Sequence, residues 1–104
     1  MKALKLSVSD RFCMSGLLPQ AGGKIEMILI ESILKKVEFL PEEITKFGMK
    51  DNGDGGVTWT SGKPVEFEFT DEQVEVLKSA SKRVDDEKKI TRENLSLIQK
   101  IDSL

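Results

Sequence analysis

Glu66, Glu68, Asp71 and Glu72 are the densest group of chemistry-bearing side chains in this 104-residue chain, with Glu75 close behind. On an extended segment Glu66 and Glu68 project from the same side, roughly 6.5 Å apart at a rise of about 3.3 Å per residue. Carboxylates at that spacing can serve glycoside hydrolysis or hold a divalent cation. A structural reading competes, because outward positions of an amphipathic strand are commonly charged. Asp71 and Glu72 also stand where the positive end of a helix dipole favours anions. The four residues are kept as a candidate acidic patch, the structural reading is preferred, and a carboxylate-based hydrolase ranks lowest among the functions considered.

Other reactive groups give weaker signals. Cys13 becomes a nucleophile only if something lowers its pKa, and the chain has no histidine to act as base, so a small buried hydrophobe is the preferred reading. One cysteine forms no internal disulfide, and without histidine it lacks the usual partners of a zinc site. Residues 51–57 superficially resemble a calcium loop. Placing Asp54 fifth and Gly55 sixth puts Lys50 first and Ser61 twelfth, where an aspartate and a bidentate glutamate are required. A plain turn is preferred. Lys88, Lys89 and Arg92 form a small basic cluster, yet acidic residues precede it and no aromatic residue lies among it to stack on a base. No catalytic residue, metal ligand or cofactor is assigned.

Eighteen acidic and sixteen basic residues are interspersed for a net charge of -2, so no strong field favours a polyanion or an anionic membrane. The longest apolar run, residues 27–30, is far short of the ~20 residues of a membrane span. The first ten residues are too often interrupted by polar side chains for a signal-peptide core, and a cytoplasmic protein is expected. The length suits one domain, residues 1–104.

The elements that must position these residues follow from periodicity. The clearest is residues 65–73, where apolar spacing changes from every second residue (Val65, Phe67, Phe69) to helical spacing (Val74, Leu77, Val84). A strand therefore runs straight into a helix over 71–84, with Thr70 and Gln73 as its capping box. Upstream, a short strand is expected at 4–6 and a helix at 8–18, opened by Ser7 with Asp10. A second helix, 24–39, carries Met27, Leu29, Ile30, Ile33, Leu34 and Val37 on one face, with Glu26 discordant among them. Its isoleucines also allow a strand over 24–30, but continuation of the pattern to Val37 favours the helix. Pro41 with Glu42 and Glu43 opens a short third helix that Gly48 stops. Extended runs at 47–50 and 57–60 flank a glycine-rich turn, and residues 61–64 turn again into 65–69, which predicts a three-stranded antiparallel meander. A last helix over 91–102 carries Leu95, Leu97, Ile98 and Ile101.

The order of motifs also resembles that of small uncharacterised proteins encoded in tailed-phage and prophage gene clusters. The resemblance is carried by Leu4-Lys5-Leu6-Ser7-Val8-Ser9-Asp10-Arg11, Leu17-Leu18-Pro19-Gln20, Val57-Thr58-Trp59 and Phe67-Glu68-Phe69-Thr70-Asp71. It implies a phage-encoded accessory or assembly factor in a bacterial cytoplasm and assigns no role to any residue.

The expected fold is therefore α+β, a small three-stranded meander packed against four to five helices, with helices before and after the sheet. The expected function is a non-enzymatic interaction or assembly protein that engages a protein partner or self-associates. Its candidate surface is Trp59 together with Leu97, Ile98 and Ile101 on the last helix; Trp59 and the five phenylalanines are read first as core, and Trp59 becomes a partner anchor if the helices cover only part of the sheet. A nucleic-acid-associated regulator is the alternative.

Overall fold

A computed structural model describes residues 2–53 and 56–104 as a mixed α and β structure. The elements run β1 (Lys2–Leu6), α1 (Val8–Leu17), α2 (Lys24–Val37), α3 (Pro41–Lys46), β2 (Lys50–Asp51), β3 (Val57–Thr58), β4 (Val65–Phe69), α4 (Asp71–Asp86) and α5 (Leu95–Asp102). Residues 24–30 are helical throughout, so the strand alternative is set aside.

Local chemistry accounts for the helix starts. Ser7 Oγ accepts the Asp10 N–H while the Asp10 carboxylate accepts the Ser7 N–H, and Thr70 and Gln73 repeat the exchange at α4. Glu43 accepts the Leu40 N–H behind Pro41, which opens α3. Gly48, at φ +64°, ends that segment as expected; a Cβ there would also sit 2.4 Å from Thr60 Oγ1. The last helix is regular only from Leu95. Before it, Thr91 and Asn94 exchange side-chain and main-chain hydrogen bonds in a turn that leads into α5.

The three-stranded meander is not formed. Two separate two-stranded sheets stand in its place, one of β1 with β4 and one of β2 with β3, both antiparallel. The hairpin expected around the glycine-rich turn exists but pairs only Lys50 with Thr58 and Asp51 with Val57. Asp54 and Gly55, the central positions of the calcium-loop comparison, lie outside the described residues. Val65–Phe69 instead pairs along its whole length with Lys2–Leu6, setting Leu4 opposite Phe67 and Leu6 opposite Val65. A two-residue β3 offers little ladder, whereas β1 offers five residues whose alternation matches, so the distant partner wins over the sequential one. Lys5 faces Glu66 on the outer side, a favourable cross-strand pair of opposite charge.

The inner side of the β1–β4 sheet, led by Leu4, Leu6 and Phe69, packs against α1, α2 and α5, while α4 bridges α2 and α5. Leu97, Ile98 and Ile101 belong to this core, at 0–3 % exposure. Complete burial of a side chain such as Phe69 contributes on the order of 1.5–3 kcal/mol.

Polar contacts fix how the helices meet. Arg11 of α1 has a side chain only 2 % exposed. Its Nε donates to the Val37 carbonyl at 2.9 Å, and Nη2 donates to the Glu38 carbonyl at 2.8 Å. Nη1 and Nη2 also form a two-pronged pair with Glu43 at 2.7 and 2.9 Å. One guanidinium thus satisfies carbonyls at the C-terminal end of α2, places a cation at the negative end of its dipole, and holds α3. Beside it, the buried Asp10 carboxylate takes an ion pair from Lys100 of α5. Gln73 of α4 donates to Ser32 of α2 and accepts from Lys36 of α2, and Ser81 of α4 donates to Asp102 of α5. Among the described residues no buried side-chain nitrogen or oxygen lacks a partner.

Two measurements check this account. Hydrogen bonding from Arg11 holds the Glu43 carboxyl below its usual value. The unfolded chain therefore binds the extra proton first, and the stability contributed by the pair at neutral pH is lost as pH falls below about 4.3 through the depressed native value. Glu43→Gln should lower the urea midpoint at about pH 7 and flatten its decline in that acid window. Lys88 closes α4 in the left-handed region at φ 57°. Lys88→Gly should raise stability by about 0.5–1 kcal/mol, or roughly 3–6 °C in Tm, in a thermal melt.

Candidate functional site

On α1, Ser9, Phe12, Cys13 and Gly16 share the face turned away from the residues that α1 buries, which include Val8, Met14 and Leu17. Phe12 therefore projects outward although it is a large aromatic. Phe39, just past the end of α2, meets it with ring centroids 5.0 Å apart and planes tilted by 40°. Trp59, just past β3, stacks on Phe12 from the other direction at 5.6 Å and 29°. At the inner end the Arg11 guanidinium lies 3.9 Å over the Phe39 ring. A column results, Arg11–Phe39–Phe12–Trp59, buried at the arginine and open to solvent at the tryptophan, which is 38 % exposed.

A cleft of about 490 Å³ opens beside the outer end of the column, lined by Ser9, Phe12, Cys13, Gly56, Val57, Trp59 and Glu93. The Cys13 thiol points toward the Glu93 carbonyl, 3.6 Å from Sγ. Its pKa is raised, first by partial burial and then by the carboxylates of Glu93 and Asp10. A raised thiol pKa is the reverse of what an activated nucleophile needs.

The acidic patch is divided by the fold. Glu66 and Glu68 stand exposed on the outer side of the β1–β4 sheet, opposite Lys5 and Ala3. Asp71 and Glu72 occupy the first turn of α4, and Glu72 lines a groove of about 500 Å³ between α2 and α4. The groove has Ile25, Leu29, Val76 and Ala80 along it and Glu26, Glu75 and Arg83 at its edges. Glu26, discordant on the apolar face of its helix, is exposed at this edge. Ile25 and Ile28 stand 76 % and 58 % exposed on α2. Among the described residues, no three acidic or cysteine side chains are grouped so as to hold a metal ion.

The basic cluster is loosely organised, with Lys89 paired to Glu87 at 3.4 Å in full solvent. The expected partner surface needs correction in three of its four members. Leu97, Ile98 and Ile101 are covered by the rest of the chain, because the apolar stripe of α5 meets α4, α1 and β1, and only Trp59 remains at the surface. Sequence reasoning overlooked Arg11, Phe12, Phe39 and Glu93. Phe12 did carry a signal, since a phenylalanine on the polar face of an amphipathic helix calls for a partner beyond its own helix.

Comparison with family models, curated proteins and solved structures finds no match to this chain. No helix among the described residues is long and apolar enough to cross a membrane.

The alkylation rate of Cys13 with iodoacetamide checks the electrostatics of the cleft. The pH–rate profile should inflect above that of a free thiol, and Glu93→Gln should move the inflection down. An inflection at or below the free-thiol value would contradict the arrangement.

Proposed function

We propose that this chain is a non-enzymatic interaction or assembly protein that engages a protein partner through the surface centred on Trp59. One observation carries the reading. The aromatic column ends in a half-exposed tryptophan beside an open cleft, and its inner rings are held by a buried arginine. Tryptophan presented on a rigid support loses little conformational freedom on binding and buries a large area, which is why it recurs among interface hot spots. Self-association through the same surface is included. The resemblance of the motif order to phage and prophage proteins supports an accessory role in a bacterial cytoplasm.

Panning a random-peptide display library on the intact protein, with light scattering after size exclusion over a tenfold range of concentration, tests the reading. Enriched peptides, or a concentration-dependent dimer, should lose affinity in a folded Trp59→Ser variant by about 2 kcal/mol, near thirty-fold. If Trp59→Ser leaves both unchanged, or neither occurs, the reading is wrong.

A further inference from the structure

The cleft at the end of the aromatic column has a distinctive composition. Its ring walls are Phe12 and Trp59, and among the described residues the one ionised side chain in its lining is the carboxylate of Glu93. Glu93 is exposed and, among the described residues, forms no ion pair. Aromatic faces carry negative potential and attract cations within about 6 Å of a ring centroid, and a nearby carboxylate adds to the attraction. The chain already contains this recognition at the other end of the column, where the Arg11 guanidinium covers Phe39 and pairs with Glu43.

We propose that the Trp59 cleft is a receptor for an arginine side chain of the protein partner, its guanidinium stacked against Trp59 and paired with Glu93. This rests on the interaction reading above and adds the chemistry of the occupant. Arginine fits better than lysine, because its planar, weakly hydrated head stacks on aromatic rings and can present two N–H donors to one carboxylate. Charge complementarity identifies the occupant: among the described residues the lining offers a carboxylate and π faces, and no cation. The raised pKa of Cys13 agrees, since Glu93 is among its causes and an anion there gives the cleft a negative potential. The volume exceeds that of one side chain, which leaves room for flanking partner residues against Val57 and Phe12.

The probes are the peptide acetyl-Gly-Gly-Arg-Gly-Gly-amide and its citrulline counterpart, which keeps the shape and removes the charge. Binding is followed by the Trp59 indole N–H resonance in titrations at low and high salt. The arginine peptide should bind roughly ten-fold more tightly than the citrulline peptide. Glu93→Gln should weaken the arginine peptide about three-fold and leave the citrulline peptide unchanged. Equal binding of both peptides, or no effect of Glu93→Gln, overturns the arginine assignment. The displayed library separates the two levels of the argument. Trp59-dependent clones rich in arginine support both, whereas Trp59-dependent clones without basic residues overturn the arginine assignment and leave the interaction surface standing. Absence of any Trp59-dependent clone, together with no shift from either peptide, overturns both. Glu93→Gln is an exposed substitution and keeps the test independent of the stability of the Trp59 variant.

Discussion

The arrangement of the helical layer depends on one buried cation. Arg11 reaches from α1 to two carbonyls at the end of α2 and to the carboxylate that opens α3, and every one of these partners lies 26–32 residues away in sequence. A guanidinium removed from water is costly unless its donors are matched, and removing one partner of such a buried pair typically costs about 3–5 kcal/mol. The geometry is therefore demanding. With Arg11 in place, the end of α2 and the start of α3 are fixed relative to α1, and Phe39, between them, is held against Phe12. The surface aromatic column is an extension of an internal electrostatic clamp.

Asp10, one residue earlier, turns the same short segment toward a different element. Its carboxylate caps α1 and pairs with Lys100 of α5, so adjacent residues of opposite charge bind α1 to opposite parts of the chain. Gln73 combines roles in a similar way, closing the first turn of α4 while meeting Lys36 and Ser32 of α2. In both cases a local cap also serves as a contact between helices. This economy suits a chain of 104 residues, whose apolar core is modest and whose helices need few wrong ways to pack.

What the sequence made legible was whatever depends on residues a few positions apart. The capping boxes at Ser7 and Thr70, the strand-to-helix change at Thr70, the stop at Gly48 and the helical character of 24–37 all have causes within one or two turns of chain. Partner choice has no such local record. The alternation of Val65, Phe67 and Phe69 shows that one side needs cover and the edge needs a neighbour, but Lys2–Leu6 and Val57–Thr58 could be compared only by their register in space. The stripe Leu97, Ile98, Ile101 likewise shows that a surface will be buried without naming what buries it, and the core claimed it. The acidic patch was a neighbourhood in sequence that a strand-to-helix junction divides between a sheet face and a groove.

The pairing of β1 with β4 also bears on how the chain comes to be ordered during synthesis. Lys2 lies opposite Phe69, so the sheet must wait until the chain as far as Phe69 has left the ribosome. Until then Leu4 and Leu6 lack their strand partner, within a segment that could pair with another chain. Lys2 and Lys5 flank those leucines, and charged residues beside an unavoidable apolar strand discourage that kind of association. The same Lys5 that later faces Glu66 across the sheet thus serves the nascent chain as a guard before its partner exists.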